Sequence, residues 1–309
     1  MTELSVRQVR RDELAAVAGL HAASGPAMSP AKLEWEYFDR DLAREGVLVG
    51  AYDGDALIGT QGFIPYPGWW KDRTILTCKS ESTLLSPEYR GRKLFDRMYA
   101  LGFELCGQAG IDCIWGFTSA EKPFSKLGFD VSGELFQEIL SWSPLRLYRA
   151  IRHGTGASLS RGGVPPAATV ALDALHRRRP GEFGVDRDAR YLRHRYVNNP
   201  SRDIAAIDEA AGVLFSYGGR HPFLLRVSEV VDRSRLKDAL RRCKARIGKD
   251  FWGIERFTNH PVLGWGTLPG TVYYRRKTAM RIVFKWLGPL AGQPVPSFDV
   301  EEGYTEGLR

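Results

Sequence analysis

The sequence has few cysteines and no long apolar run, and each of these absences argues against a class of protein. Its four cysteines are not spaced as Cys-x-x-Cys and its six histidines are scattered, so we expect neither a disulfide framework nor a metal site. No stretch of about 18 apolar residues occurs, which predicts no membrane span. The first residues also lack the apolar stretch of a signal peptide. We therefore expect a cytoplasmic protein.

What is present is an ordinary globular composition with an excess of positive charge. The 309 residues are 43% hydrophobic and carry a formal net charge of +8. At about 150 residues per domain, this length predicts two domains. A net positive charge is typical of proteins that bind nucleic acid, a membrane surface or a phosphorylated small molecule. It is just as typical of a soluble protein that is merely basic.

Strand and helix signals alternate through the first half and predict an α/β domain over residues 1–150. Asp53-Gly54-Asp55 indicates a hairpin turn, and Pro65 and Pro67 are expected to interrupt the strand that follows. We expect strands at 5–10, 46–52, 56–64, 74–85, 111–117 and 129–140. Helices are expected from about 12, at 30–42, from 94 to about 107, and at 122–127.

A stretch rich in Gly, Ser and Pro separates this half from a second folded half. We interpret 151–182 as a linker, 183–290 as a second domain and 291–309 as a polar C-terminal tail. The second domain contains several strand candidates and a helix that Asp232 would cap. Both halves share a strand–helix–strand order, which indicates an internal duplication.

The stretch SPEYRGRK, residues 86–93, lies where a predicted strand is followed by a predicted helix. A helix N-terminus has free backbone N–H groups and a partial positive charge, so a loop leading into it can hold a phosphate. Gly91 lets the main chain approach an anion closely, and Arg90, Arg92 and Lys93 add positive charge. The alternative is a solvated basic turn that caps a helix, and local chemistry alone leaves both interpretations open.

The segment STLLSPEYRGRKLFDRMY resembles motif A of the GNAT superfamily of acyl-CoA-dependent N-acyltransferases. IDCIWGFTSAEKPFSKLGF resembles the motif that follows it, and the likeness covers about residues 3–140. The resemblance implies an α/β fold with a mixed central sheet of GNAT type, and acetyl-CoA or another acyl-CoA as cosubstrate. It also implies that loop amides bind the coenzyme A pyrophosphate, and that backbone donors of a neighbouring strand lie near the thioester. The implied cofactor-binding residues are Leu84, Leu85, Arg90, Gly91, Arg92, Lys93, Leu94, Phe95 and Ser119.

Three positions depart from the pattern of that family. The chain has Lys93 where the loop pattern has its fourth residue, a glycine, and Phe95 where it has its sixth, a small residue. Because both carry a Cβ, we expect this part of the loop to adopt negative φ or to accept strain. Phe124 replaces a tyrosine that often protonates the leaving thiolate, so proton delivery would need water, Ser119 or Ser125.

Glu81, in the run CKSEST, is the candidate catalytic base. Direct acyl transfer to an amine needs a base that takes the ammonium proton, often through water. Strand alternation predicts that Glu81 shares a face with Lys79 and Thr83, while Ser80 and Ser82 lie on the other face. A carboxylate among small residues of a central strand is unusual and suggests catalysis. The alternative is a structural ion pair with Lys79 or an arginine at the rim of the sheet.

The second half lacks a glycine-rich basic loop, so we expect a degenerate GNAT-like domain that does not bind coenzyme A. Its segment RDARYLRHRYVNNP resembles a helix of tandem GNAT-like proteins of bacterial polysaccharide and amino-sugar pathways. The resemblance implies N-acyl transfer to a small primary amine, and the favoured acceptor is an amino sugar, free or nucleotide-linked. The alternatives are an amino acid, peptide or antibiotic as acceptor, or a catalytically silent protein that binds acyl-CoA or a partner. Nucleic-acid binding rests on the net charge alone, and we do not expect it.

Overall fold

The computed structural model describes residues 3–25, 27–39, 42, 44–145, 148, 182–200, 204–208, 213–217, 224–230, 235–247, 252–259 and 270–297. Within these residues, twelve strands join one mixed sheet. The strands are β1 (Leu4–Gln8), β2 (Val47–Asp53), β3 (Ala56–Trp70), β4 (Arg73–Leu85), β5 (Cys113–Thr118), β6 (Asp130–Ser141), β7 (Phe183–Val185), β8 (Ile204–Asp208), β9 (Val213–Tyr217), β10 (Leu224–Val230), β11 (Gly253–Thr258) and β12 (Val272–Trp286).

Helices connect or cover these strands. The α-helices of the described residues are α1 (Leu14–Ser24), α2 (Pro30–Tyr37), α3 (Leu94–Gln108), α4 (Glu121–Lys126), α5 (Ala189–Leu192) and α6 (Leu236–Ile247). Ser29 caps α2, because its Oγ accepts the Lys32 N–H at 3.2 Å, but α2 ends at Tyr37 and not near residue 42 as expected. A π-helical turn, Arg193–Val197, continues α5. None of the described helices has both the length and the apolar character needed to span a membrane.

The order of the strands shows two similar halves on either side of a central strand pair. The sheet runs β1-β2-β3-β4-β5-β12-β6-β11-β10-β9-β8, and β7 pairs with β3. The β4/β5 and β10/β11 pairs are parallel, and the remaining pairs are antiparallel. Parallel neighbours require a crossover connection, which contains α3 in the first half and α6 in the second. The mixed central sheet expected from the sequence is therefore present.

β12 lies between β5 and β6, although it belongs to the segment interpreted as the second domain. It pairs with β5 through Arg281–Trp286 and with β6 from Val272 onward. The sheet is therefore continuous between the two halves, and a strand from the end of the chain completes the first half.

Three features expected from the sequence lie outside the described residues: the 151–182 linker except its last residue, the Asp232 cap and the tail beyond residue 297.

β3 continues through Pro65 and Pro67 to Trp70, so the expected interruption at these prolines is wrong. β2 pairs with β3 only as far as Phe63, and β7 joins that side at Gly68. Between these points, within the described residues, β3 has β4 on one side alone. Proline lacks an N–H donor and is tolerated at such an edge. The two prolines therefore mark an edge of the sheet and not the end of the strand.

Helical layers cover both faces of the sheet around β4. α1, α2 and α5 pack on one face, in a cluster that includes Trp115 and Phe284. α3 and α4 pack on the other face, in a cluster that includes Phe63 and Cys78. Full burial of a phenylalanine side chain such as that of Phe63 stabilises the fold by about 1.5–3 kcal/mol. The middle of β4 is therefore packed from both faces.

Candidate active site

The parallel strands β4 and β5 separate toward their C-terminal ends. They pair over Thr77–Ser80 and Cys113–Gly116, with Ser80 opposite Gly116 in the last pair. β4 then continues to Leu85 without a partner on that side among the described residues, while β5 stays paired with β12. The last pair is tight, because a Cβ on Gly116 would lie 3.1 Å from the Ser80 carbonyl oxygen. Beyond it, a cleft opens between two neighbouring strands.

A β-bulge in β4 lies at the open end of this cleft. Gly62 pairs with Glu81 and Thr60 pairs with Leu84, so β4 contains one extra residue there. Ser82, in the bulge, has a φ of +57°, a left-handed conformation that residues other than glycine rarely adopt. Its carbonyl oxygen accepts a hydrogen bond from Thr60 Oγ1 at 3.0 Å. β3 therefore holds the bulge in place.

The bulge changes which side chains share a face of β4. The sequence predicted Thr83 beside Glu81. In the structure, Thr83 Oγ1 lies 3.5 Å from the Tyr99 hydroxyl of α3, and Ser80 Oγ lies 2.8 Å from the same hydroxyl. Ser82 contacts the opposite layer. The predicted alternation is therefore wrong beyond Glu81, because one inserted residue reverses the direction of the side chains that follow.

The loop between β4 and α3 makes a sharp turn with left-handed residues. It begins with a 3₁₀ turn, Pro87–Tyr89, and the Tyr89 hydroxyl donates to Asp53 Oδ2 at 2.8 Å, which ties the loop to the β2–β3 hairpin. Gly91 has a φ of +79°. Lys93 has a φ of +58°, so the loop accepts strain at this departure from the family pattern. A left-handed residue other than glycine costs roughly 1–2 kcal/mol.

The N-terminus of α3 presents unpaired backbone donors. The first helical hydrogen bond runs from the Arg97 N–H to the Lys93 carbonyl oxygen at 3.1 Å. The N–H groups of residues 93–96 precede it, and none of them has an acceptor in the part of the chain that the structure describes. Arg90, Arg92 and Lys93 are exposed around them. Free N–H groups at a helix end, surrounded by cations, suit an anion such as a diphosphate.

The residues predicted to bind a cofactor lie together at one edge of the sheet. Because β4 and β5 are parallel, their C-terminal ends meet there, and α3 begins beside them. Leu84 and Leu85 are half-buried at the end of β4, and Ser119 is exposed just after β5. Leu94 is fully buried and Phe95 half-buried, so their side chains pack beneath the loop. The main chain of these last two residues lies at the helix start, where a ligand can contact it.

Phe95 and Phe124, two of the departures from the family pattern, pack on a single tyrosine. The Phe95 ring centroid lies 4.8 Å from that of Tyr99, and the Phe124 centroid lies 5.5 Å from it. Tyr99 is fully buried, and this burial raises its pKa to about 12. The α3 and α4 side of the cleft is therefore a layer of packed rings, from which the Tyr99 hydroxyl reaches β4.

Glu81, the candidate base, lies on the opposite face of β4 and forms an ion pair with Lys79. The Lys79 side chain is 5% exposed and the Glu81 side chain is 23% exposed, so the carboxylate retains contact with solvent. The structure therefore contains the ion pair that the sequence left as an alternative. The two interpretations are compatible, because a base must be an ionised carboxylate with access to water.

Glu36 on α2 supplies a second carboxylate, which was not among the site residues expected from the sequence. The residue is buried, and this burial, together with the nearby charge of Glu81, raises its pKa, while the charges of Lys32, Arg195 and Lys79 act in the opposite direction. Two carboxylates and three cations are therefore close together on the α2 face of β4. Helical spacing could have indicated Glu36, because it follows the buried Leu33 by three residues.

A segment from the second half of the chain packs on this same face. The Trp35 ring stacks on His194 with centroids 4.8 Å apart and planes 15° apart. Trp35 Nε1–H donates to the His194 carbonyl oxygen at 3.0 Å, and the Arg195 guanidinium lies 5.9 Å from the Trp35 ring centre. The π-helical continuation of α5 therefore contacts α2, beside the face of β4 that carries Glu81.

No protein-family model matches this sequence, and no curated protein matches it. Solved structures are similar to it in fold. A protein of unknown function from Enterococcus faecalis, described as a probable N-acyltransferase, has a TM-score of 0.63 at 10% identity, with 93% of this chain and 73% of that chain covered. A GCN5-related N-acetyltransferase from Kribbella flavida has a TM-score of 0.56 at 15% identity, with 92% and 71% covered.

A tandem protein extends this likeness to the arrangement of two halves. A tandem GNAT protein from the clavulanic acid biosynthesis pathway has a TM-score of 0.52 at 15% identity, with 93% of this chain and 99% of that chain covered. At these identities the likeness concerns the fold alone. The GNAT fold that the motifs predicted is therefore present, and it extends over both halves.

Proposed function

We propose that this chain, which has the GNAT fold, transfers an acyl group from acyl-CoA, in the first instance acetyl-CoA, to a small primary amine. The observation that carries the proposal is the group of free donors and cations at the start of α3. There, the free N–H groups of residues 93–96 lie among exposed cations beside the β4/β5 cleft. A fold alone does not determine a function, so the proposal depends on this site.

The residues around the cleft fit coenzyme A chemically. Nothing lies within 4 Å of the position that a Gly91 Cβ would occupy, so the main chain there is open to a ligand. The amides that follow Gly91 therefore suit the pyrophosphate of coenzyme A. The main chain of Leu84 and Leu85 has no strand partner on the cleft side among the described residues, so it can hydrogen-bond to the thioester end. The exposed Ser119 lies across the cleft. When bound, the cofactor supplies the acyl carbon that the amine attacks.

Glu81 receives the proton that the attacking amine loses, through a water molecule. Lys79 holds the Glu81 carboxylate in place, and the partial exposure of that carboxylate leaves room for the water. The amine approaches from the α2 face, while the acyl-CoA lies in the cleft, so both substrates meet near the bulge at Ser82. Holding two reactants in this relation is itself a large part of catalysis.

For the acceptor we propose an amino sugar, free or linked to a nucleotide. The support is the net charge of +8 and the resemblance of the RDARYLRHRYVNNP segment to a helix of tandem amino-sugar proteins. That segment contacts α2 beside the acceptor face. A screen of aminated sugars, amino acids, peptides and aminoglycosides for release of the coenzyme A thiol separates these acceptor classes. If no amine reacts while coenzyme A still binds, the chain is a silent acyl-CoA-binding protein.

Titration of coenzyme A into the full chain tests the proposal. We expect binding and a raised melting temperature, because a ligand that binds only the folded state stabilises it. Gly91→Glu should weaken binding at least about 100-fold, because it adds a side chain and a negative charge where the phosphates bind. Gly107→Glu changes an exposed position near the other end of α3 and serves as the matched control, with binding unchanged. A chain that binds no coenzyme A would overturn the proposal.

A further inference from the structure

Four polar side chains form a closed ring of hydrogen bonds between β3, β4 and α3. Gln61 Nε2 lies 3.1 Å from Ser80 Oγ, and Ser80 Oγ lies 2.8 Å from the Tyr99 hydroxyl. That hydroxyl lies 3.5 Å from Thr83 Oγ1, which in turn donates to Gln61 Oε1 at 2.5 Å. The ring is therefore complete, and each member contacts two others.

The direction of the hydrogen bonds in this ring follows from its members. Gln61 Nε2 also donates to the Gly62 carbonyl oxygen at 2.8 Å, and a carbonyl can only accept, so this contact sets the orientation of the amide. Ser80 then accepts from Gln61 and has its single proton left for Tyr99. Tyr99 in turn donates to Thr83, and Thr83 donates to Gln61 Oε1. Every hydroxyl in the ring is thus both donor and acceptor.

Thr83 is the exposed member of the ring. Gln61 and Tyr99 are fully buried and Ser80 is half-buried, whereas Thr83 is exposed. Thr83 lies on the part of β4 that extends past the last β4/β5 pair, and the bulge at Ser82 directs it to the α3 face. The ring therefore meets the cleft at Thr83.

The neighbouring position on α4 has no hydroxyl to offer. Phe124 stands where the family pattern often has a tyrosine that protonates the leaving thiolate, and its ring packs on Tyr99. Ser119 and Ser125 are exposed, and neither belongs to the ring. Among these hydroxyls, that of Thr83 is the one already oriented by a buried donor.

We propose that Thr83 donates a hydrogen bond to the sulfur of acyl-CoA as the thioester bond breaks, and that Tyr99 is its positioning residue. This inference rests on the proposed acyl transfer. When the tetrahedral adduct collapses, the carbon–sulfur bond breaks and its electron pair goes to sulfur. The Thr83 O–H turns from Gln61 Oε1 to the sulfur and keeps its proton, and the thiolate takes a proton from water after release. A hydrogen bond to a charged acceptor is stronger than one to a neutral acceptor.

Tyr99 suits the positioning role because it keeps its proton. Burial raises the pKa of Tyr99 to about 12, so the phenol remains a donor to Thr83 across the neutral and mildly alkaline range. The other charged groups near the cleft include Glu81, Lys79 and Glu36 on the opposite face of β4, and Arg90, Arg92 and Lys93 in the loop. A substitution at Thr83 leaves all of them in place.

The loss of the proton from the thiol of bound coenzyme A, followed by thiolate absorbance across pH, tests this inference without turnover. Thr83→Val removes the hydroxyl at nearly constant volume. In this variant the acid dissociation constant of the bound thiol should fall about tenfold relative to the unsubstituted chain. Thr83→Ser should restore it, and Tyr99→Phe should give an intermediate value. In the acyl transfer assay Thr83→Val should lower kcat at least about tenfold, while the Kd for coenzyme A changes less than about twofold.

The outcomes separate the two proposals. If coenzyme A binds Thr83→Val and its thiol dissociates as in the unsubstituted chain, the role of Thr83 is wrong and the proposed function is unaffected. If the unsubstituted chain binds no coenzyme A, the proposed function itself fails. Should Thr83→Val not fold, the acid dissociation constant of the bound thiol can be obtained from the unsubstituted chain. The affinities for coenzyme A and for desulfo-coenzyme A, which lacks the thiol, are then compared across pH. A bound thiol no more acidic than the free thiol would then contradict the inference.

Discussion

The two crossovers of the sheet share a backbone arrangement and differ in what lies between their strands. β4 pairs in parallel with β5 up to Ser80 and Gly116, and β10 pairs in parallel with β11 up to Arg226 and Glu255. In both, a β-bulge follows within a few residues of the last parallel pair, on the strand before the helix. The second half therefore repeats the strand geometry that opens the first cleft.

The side chains at the last parallel pair distinguish the two crossovers. Ser80 and Gly116 are small, whereas Arg226 and Glu255 form a buried ion pair with 3.6 Å between nitrogen and oxygen, and the Arg226 guanidinium also lies 5.2 Å from the Phe257 ring centre. The connection before α3 contains Gly91, but the residues before α6, VDRSR, contain no glycine. We therefore expect side chains, and not the path of the main chain, to determine which crossover can accept a cofactor.

The largest effect should come from breaking the buried pair of the second crossover. Arg226→Ala leaves the Glu255 carboxylate buried without its cation, so we expect the free energy of unfolding to fall by about 3–5 kcal/mol, measured by urea denaturation. Arg241→Ala breaks an exposed pair with Asp238 and should change it by less than about 1 kcal/mol. Equal losses for both variants would show that the buried ion pair contributes no more to stability than an exposed one.

A second test concerns the residue that follows the last parallel pair, which is Glu81 in the first half and the buried Val227 in the second. Glu81→Gln should lower the rate of acyl transfer about 100-fold without changing coenzyme A affinity, because it removes the base and leaves the cleft intact. Glu88→Gln changes an exposed carboxylate of the loop and is the matched control. A full rate for Glu81→Gln at every pH would remove Glu81 from the mechanism.

The smallest effect sharpens the comparison at the loop. Lys93→Gly removes the strain of a left-handed residue, so the free energy of unfolding should rise by up to about 1 kcal/mol. Because the substitution also removes one positive charge, coenzyme A binding should weaken by roughly two- to fivefold. Lys71→Gly relieves a left-handed lysine in the β3–β4 turn and should stabilise the chain similarly with no change in binding. If Lys93→Gly abolishes binding, the lysine side chain and not the amides holds the cofactor.

The first crossover could be predicted from sequence because its signals are local. Pro87, Gly91 and three basic residues fall within eight positions, and each limits the main chain or the charge of one short turn. Lys93 and Phe95 were recognised as departures from the family pattern for the same reason. In the structure, Lys93 takes a left-handed conformation and the Phe95 ring packs on Tyr99 beneath the loop.

Other parts of the site depend on contacts between distant residues and gave no local signal. β12 joins β5 across more than half of the chain, and no pattern in VYYRRKTAMRIVFKW specifies that partner. The bulge at Ser82 depends on a hydrogen bond from β3, so simple alternation placed Thr83 on the wrong face. Glu36 showed helical spacing, but its proximity to Glu81 follows only from how α2 packs on the sheet.

The number of coenzyme A molecules bound per chain, measured by titration calorimetry, tests the central comparison most directly. The first crossover offers free amides, cations and an open cleft, whereas a buried ion pair lies between the strands of the second. We therefore predict one molecule bound per chain, and none after Gly91→Glu. Two molecules per chain, or one that survives Gly91→Glu, would contradict the account.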